Sequence, residues 1–120
     1  MSRDYRKIKA WQLADDITVE VYNITRSFPK EEIYGLTSQL RRAISSVPAN
    51  IVEGATRSHK KEYVHFLNIA RVSLAEADDF LHLAKRLNYF DEKRYNEISK
   101  KINELGATLY GLMQAVKKEV

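Results

Sequence analysis

The sequence predicts an all-α protein built as one bundle of four helices, and three observations carry that expectation. Apolar residues recur at alternating steps of four and three over four long segments, the spacing that gathers them on one helix face. Only 4 Gly and 2 Pro occur in 120 residues, too few for a loop-rich or sandwich fold. The breaks between segments carry helix-ending or helix-capping residues: Phe28-Pro29, Ser58, and Asn88 to Asp91. A hydrophobic fraction of 44% in a chain of this length suits a single domain, residues 1–120, burying roughly two thirds of its unfolded surface.

The first helix, about 8–27, buries Ala10, Ala14, Ile17, Val21, Ile24 and Phe28, with Trp11, Thr18 and Tyr22 on its edge. Pro29 ends it by disfavouring helical geometry in the residue before and lacking an N–H. The second, about 35–55, has two faces. Leu36, Leu40, Ile44, Val47 and Ile51 form an apolar one, and Gln39, Arg42, Ser46, Asn50, Glu53 and Arg57 a polar one beside it. Pro48 in its interior removes a backbone bond toward Ile44, so a kink of more than about 20° is expected there.

Ser58 is positioned to cap the third helix, about 58–88, which carries Tyr63, Leu67, Ala70, Leu74, Ala77, Leu81 and Ala84 on its core face. A second series, Phe66, Ser73, Phe80 and Leu87, would stay exposed if one face alone were buried, which points to an oligomer. Asp91 caps the fourth helix, about 91–118, with Phe90 and Tyr95 placed for a hydrophobic staple. Its seam is Tyr95, Ile98, Ile102, Leu105, Leu109, Leu112 and Val116. Gly106 and Gly111 cost about 1 kcal/mol each in a helix interior and are expected at close helix contacts. Short connections make the bundle up-down-up-down.

Several functions are excluded or left without support. There is no cysteine, so disulfides, thiolate metal sites and cysteine nucleophiles are ruled out. No window approaches about 18 apolar residues and the basic start, Met1 to Lys7, leads into none, so a soluble cytoplasmic protein without a membrane contact is expected. No serine sits in a nucleophile elbow, and glycine-rich phosphate loops are absent. Of the three histidines, His65 alone forms a Glu-x-x-His motif, with Glu62. The weaker echo, Asp79 to His82, lies about 25 Å further along the same helix, so the two cannot share a metal. The expectation is a non-enzyme with no catalytic residue, no metal and no cofactor.

Formal net charge is +4, unevenly spread. Basic residues gather in the amino-terminal arm (Arg3, Arg6, Lys7, Lys9) and in Arg41, Arg42, Arg57, Lys60 and Lys61, with His59 beside them. The second group is the candidate nucleic-acid-binding set, since clustered cations attract phosphate backbones without reading sequence; a solvated surface is the plainer alternative. The stripe Gln39, Arg42, Ser46, Asn50, Glu53 and Arg57 has three readings: a hydrogen-bond network around the Pro48 kink, a subunit contact, or a ligand surface. Asn50 is placed to meet a carbonyl freed by the kink. Tyr5, Tyr34, Tyr63, Tyr89, Tyr95 and Tyr110 are candidates for packing first and for base stacking second.

The segments Phe28-Pro29, Tyr34 to Ala43, Ser46 to Gly54 and Arg57, continued by Tyr63, Phe66-Leu67, Ile69-Ala70, Ser73-Leu74 and Glu76, resemble one known family. It is the four-helix-bundle family first noticed in intervening sequences of bacterial 23S ribosomal RNA genes, and the likeness runs from about Tyr5 to Leu112. Val72 and Thr56 stand where the family usually has glycine. The resemblance implies a left-handed bundle that assembles as a homopentamer. The family is also distantly similar to the accessory protein of diversity-generating retroelements, a basic pentamer that binds nucleic acid and a reverse transcriptase. The functional expectation is a homo-oligomer whose basic patch, Arg41, Arg42, Arg57, Lys60 and Lys61 with the amino-terminal arm as a further candidate, touches RNA or DNA phosphates, the alternative being a scaffold for a partner protein.

Overall fold

The computed structural model describes residues 3–119, and within them four helices follow one another: α1 (Lys9–Thr25), α2 (Leu36–Ala55), α3 (Lys60–Arg86) and α4 (Glu92–Lys118). Short 3-10 turns, Tyr5–Lys7 and Lys30–Glu32, precede α1 and α2. Each helix packs on its neighbours in chain order and α4 closes back on α1, while the backbones of the diagonal pairs stay apart among the described residues. Cross-helix pairs run in opposite directions at every seam. On α1–α2 they are Thr18 with Ile44 and Thr25 with Arg41; on α3–α4, Arg71 with Met113 and Lys60 with Lys117. The bundle is therefore up-down-up-down and measures 48 × 25 × 20 Å, its length set by α3 and α4.

Side chains predicted from periodicity fill the centre. Ile17, Val21, Ile24, Leu40, Ile44, Ile51, Tyr63, Leu67, Leu81, Ile98, Leu105 and Leu109 are all fully buried. Met113, rather than Leu112, holds the inner position near the end of α4. Helix α1 stops at Thr25, three residues before Phe28-Pro29, and a turn follows, closed by the Phe28 amide on the Thr25 carbonyl (3.1 Å). Helix α2 is continuous through Pro48.

The helix ends agree with the sequence at one site and differ at another. Asp91 caps α4, accepting from the Arg94 amide at 2.7 Å, and the Phe90 and Tyr95 rings meet at 6.2 Å as a staple. Asn88 takes a left-handed φ of 61° and closes α3, with its amide on the Lys85 carbonyl and that of Tyr89 on the Ala84 carbonyl. Ser58, by contrast, does not cap α3: His59 occupies that position, without a side-chain bond to the first turn.

Close helix approach falls at Gly54, and not at the two glycines of α4. A Cβ on residue 54 would lie 2.8 Å from the Tyr63 ring, whereas Gly111 faces open space and Gly106 has only Leu74 nearby, at 3.8 Å. The second α3 series is also largely absorbed by the fold. Ser73 is buried against α2 and Phe66 and Phe80 are half-buried, so of that series only Leu87 is exposed. The exposed large apolar residues along α3 are Val72 and Leu83, with Leu87 at its C-cap.

Candidate nucleic-acid interface

The polar stripe of α2 divides into a seam and a clamp. In the seam, the Ser46 and Ser73 hydroxyls share a hydrogen bond of 3.0 Å across α2 and α3, and Asn50 Nδ2 donates to the Ser46 hydroxyl (2.9 Å) and carbonyl (2.8 Å). Asn50 thus serves Ser46. The carbonyl that Pro48 frees is that of Ile44, which lies 3.4 Å from the Thr18 hydroxyl of α1. In the clamp, Arg57 pairs with Glu53 (3.0 Å) and Glu62 (3.5 Å) while its guanidinium covers the Phe66 ring at 4.7 Å. Gln39 and Arg42 are exposed and line a groove of about 290 Å³ between α2 and α3, with Ser46, Ser73, Glu76 and Phe80.

The five basic candidates do not form one patch. Arg41 and Arg42 lie roughly 20 Å along the α2 axis from Arg57. Arg41 turns toward α1, donating to Thr25 Oγ1 at 2.8 Å and to the Tyr22 carbonyl at 3.4 Å, with its charge over the Tyr22 ring. Arg57, Lys60 and Lys61 sit at the end of the bundle where α2 turns into α3. Two further segments converge there. Arg3 donates to the Arg57 carbonyl (3.2 Å), approaches Glu119 (3.8 Å) and covers the ring of Tyr63, and Lys60 donates to the carbonyls of Lys117 (3.2 Å) and Glu119 (2.7 Å). An apolar recess of about 200 Å³ between Val64 and the stems of Lys60, Lys61 and Lys117 opens on this end.

At this pole Arg3, Arg6, Lys7, Lys9, Arg57, Lys60, Lys61, Lys117 and Lys118 outnumber Asp4, Glu53, Glu62 and Glu119 by more than two to one. The amino-terminal arm, which the sequence separates from the central group, is thereby joined to part of it. The arm is a candidate member of the patch from sequence, but the end of α4 joins it only through the tertiary fold, which linear clustering could not find. Beneath it Tyr63 is fully buried, its hydroxyl unpaired among the described residues, and burial pushes that phenol upward.

The other tyrosines separate by exposure. Tyr5, Tyr89 and Tyr95 pack against the core, while Tyr110 and above all Tyr34 face solvent. Tyr89 also has a role the sequence did not announce. Its hydroxyl donates to Glu32 Oε2 at 2.7 Å, while Glu32 Oε1 accepts from the Leu36 amide at the start of α2 (3.1 Å). These bonds hold the Glu32 carboxyl below its usual range and push the Tyr89 phenol up. Between α3 and α4, Asp78 and Arg71 border a groove of about 300 Å³, and burial pushes the Asp78 carboxyl up. Among the described residues no three His, Asp or Glu side chains come together as a metal site, and no helix is long and apolar enough to cross a membrane.

A bundle of four antiparallel helices, with a polar seam, one cationic end and grooves open to solvent, defines a class of helical module. The chain belongs to the 23S rRNA-intervening sequence protein family, whose model matches residues 6–111. Among solved structures it is similar to a protein with unknown function from the S23 ribosomal protein family of Bacteroides thetaiotaomicron VPI-5482. The TM-score is 0.80 at 21% identity, over 88% of this chain and 95% of that one, a likeness of fold. None of the curated proteins matches the chain.

Proposed function

We propose that the protein is a non-enzymatic, homo-oligomeric module that holds RNA or DNA by its phosphates through the cationic pole. The observation that carries this reading is the convergence of the amino-terminal arm, the α2–α3 connection and the end of α4 on one surface rich in Arg and Lys. Lys61, Lys117 and Lys118 are exposed there and free to meet phosphates. The 23S rRNA in the family's name supports it as well. A homopentamer, the assembly expected from the family resemblance, would multiply a weak contact by avidity. The exposed Val72, Leu83 and Leu87 on α3 favour self-association.

Affinity for an RNA or DNA duplex should fall linearly with salt on logarithmic axes, and each lysine that touches a duplex phosphate contributes about 0.9 to the slope. Changing Lys61, Lys117 and Lys118 together to Glu should remove most binding while light scattering shows an unchanged particle mass. Undiminished binding by that variant would refute the pole. The second reading, a scaffold for a partner protein, is favoured by the same exposed α3 residues and gains ground if the parent ignores nucleic acid at low salt. A monomeric mass at high concentration would refute the oligomer.

A further inference from the structure

Tyr34 is 95% exposed, yet the turn that carries it is firmly held. Glu32 accepts from the Leu36 amide (3.1 Å) and from the Tyr89 hydroxyl (2.7 Å), and the Gly35 amide bonds to the Glu32 carbonyl (2.9 Å). A Cβ on residue 35 would lie 2.7 Å from Glu32 Oε1 and would push that carboxylate from its place. An aromatic ring displayed on a fixed turn loses little backbone freedom when something stacks on it. Beside it, Ile33 borders a groove of about 260 Å³ between the end of α1 and the start of α2. Its charged lining is Arg26, Lys30 and Arg41, with no carboxylate. Arg41 is fixed by Thr25 and Tyr22, yet these bonds leave most of its five N–H donors unspent.

We propose that Tyr34 stacks on an unpaired base while Arg26, Lys30 and Arg41 take the flanking phosphate, so that this end of the bundle binds single-stranded RNA or DNA. The inference rests on the nucleic-acid reading above and deepens it, adding a single-strand contact at the end opposite the cationic pole. An exposed ring next in sequence to the lining of a cationic groove suits single strands, whose bases offer an open face where a duplex offers only its edges and backbone. The groove lining holds no acidic side chain, which favours a phosphate there; of the two carboxylates in the adjoining turn, Glu32 is spent on the Leu36 amide and the Tyr89 hydroxyl, and Glu31 lies outside the lining.

The test uses the full chain and a fluorescein-labelled oligouridylate of about 12 nucleotides, within the range such platforms cover, beside a duplex of the same length. Tyr34→Ala should weaken single-strand binding about tenfold and leave duplex binding unchanged, Tyr34→Phe should restore it, and Arg26→Glu with Lys30→Glu should weaken it further. A thermal melt checks that each variant remains folded. If Tyr34→Ala binds the oligouridylate like the parent while the pole variant does not, this inference fails and the pole stands. If the parent binds neither probe, both fail. If Tyr34→Ala leaves oligouridylate binding intact and instead changes the particle mass, the ring serves a contact between copies and the proposal is overturned.

Discussion

Gly54 of α2 lies directly against the ring of Tyr63 on α3, leaving no room for a methyl group. A Cβ at residue 54 would sit 2.8 Å from Tyr63 Cδ1 and 3.1 Å from both Phe66 Cβ and the Tyr63 carbonyl oxygen. Tyr63 is fully buried and cannot swing aside. Gly54→Ala is therefore expected to destabilise the fold by about 1–3 kcal/mol, the cost of overpacking. Gly111→Ala, where nothing lies within 4 Å, should instead stabilise α4 by up to about 1 kcal/mol. Urea denaturation of the two variants checks the contrast, and equal effects would contradict the geometry.

The Asn50–Ser46–Ser73 chain joins α2 to α3 at the half-buried face of the seam. Ser73→Ala removes the cross-helix partner of the Ser46 hydroxyl and is expected to cost about 1 kcal/mol. Removing both hydroxyls should cost less than the sum of the single changes, because no polar group is then left stranded. A double-mutant cycle by chemical denaturation measures this, and strict additivity would mean that the two serines do not act together.

Acid should loosen the start of α2. The Glu32 carboxyl is held down first by the Tyr89 hydroxyl and then by the Leu36 amide, so its folded pKa lies below the unfolded value. The stability it contributes is fully present above the unfolded pKa and is lost as pH falls through the folded one. Glu32→Gln should flatten the dependence of the melting temperature on pH across the carboxylate range, and Tyr89→Phe should do so partly. At the alkaline side the opposite sign applies to Lys101, raised by its bond to Glu20 (2.7 Å). Its stabilisation is present below the unfolded lysine pKa and disappears as pH rises through the folded value, an effect that Lys101→Met should remove.

The core was legible because burial in a helix leaves a period in the sequence. Leu40, Ile44, Val47 and Ile51, or Leu67, Leu74 and Leu81, can face only one way once the helix forms. The Asp91 cap and the Phe90–Tyr95 staple were legible for a similar reason, since partners three to five residues apart are local. What the sequence hid depends on segments far apart in the chain. The Glu32–Tyr89 bond spans 57 residues and the Arg3–Arg57 bond 54, and neither leaves a periodic trace. The same distance effect separates Arg41 and Arg42 from Arg57, because about four turns of α2 carry them to different levels of the bundle.

Pro48 leaves the Ile44 carbonyl without its helical donor deep in the core, where Ile44 is fully buried. The Thr18 hydroxyl lies 3.4 Å from that oxygen but already donates to the Ala14 carbonyl at 2.7 Å, so the substitute is weak. Pro48→Ala restores an amide at the position that can reach Ile44, and the expected result is a gain of about 1–3 kcal/mol in unfolding free energy. Thr18→Val should then cost less in the Pro48→Ala background than in the parent, since the carbonyl no longer depends on the hydroxyl. Urea titrations of the four proteins decide the matter. A loss of stability on Pro48→Ala would mean that the neighbouring side chains are packed around the proline ring itself, with the ring's contacts outweighing the missing hydrogen bond.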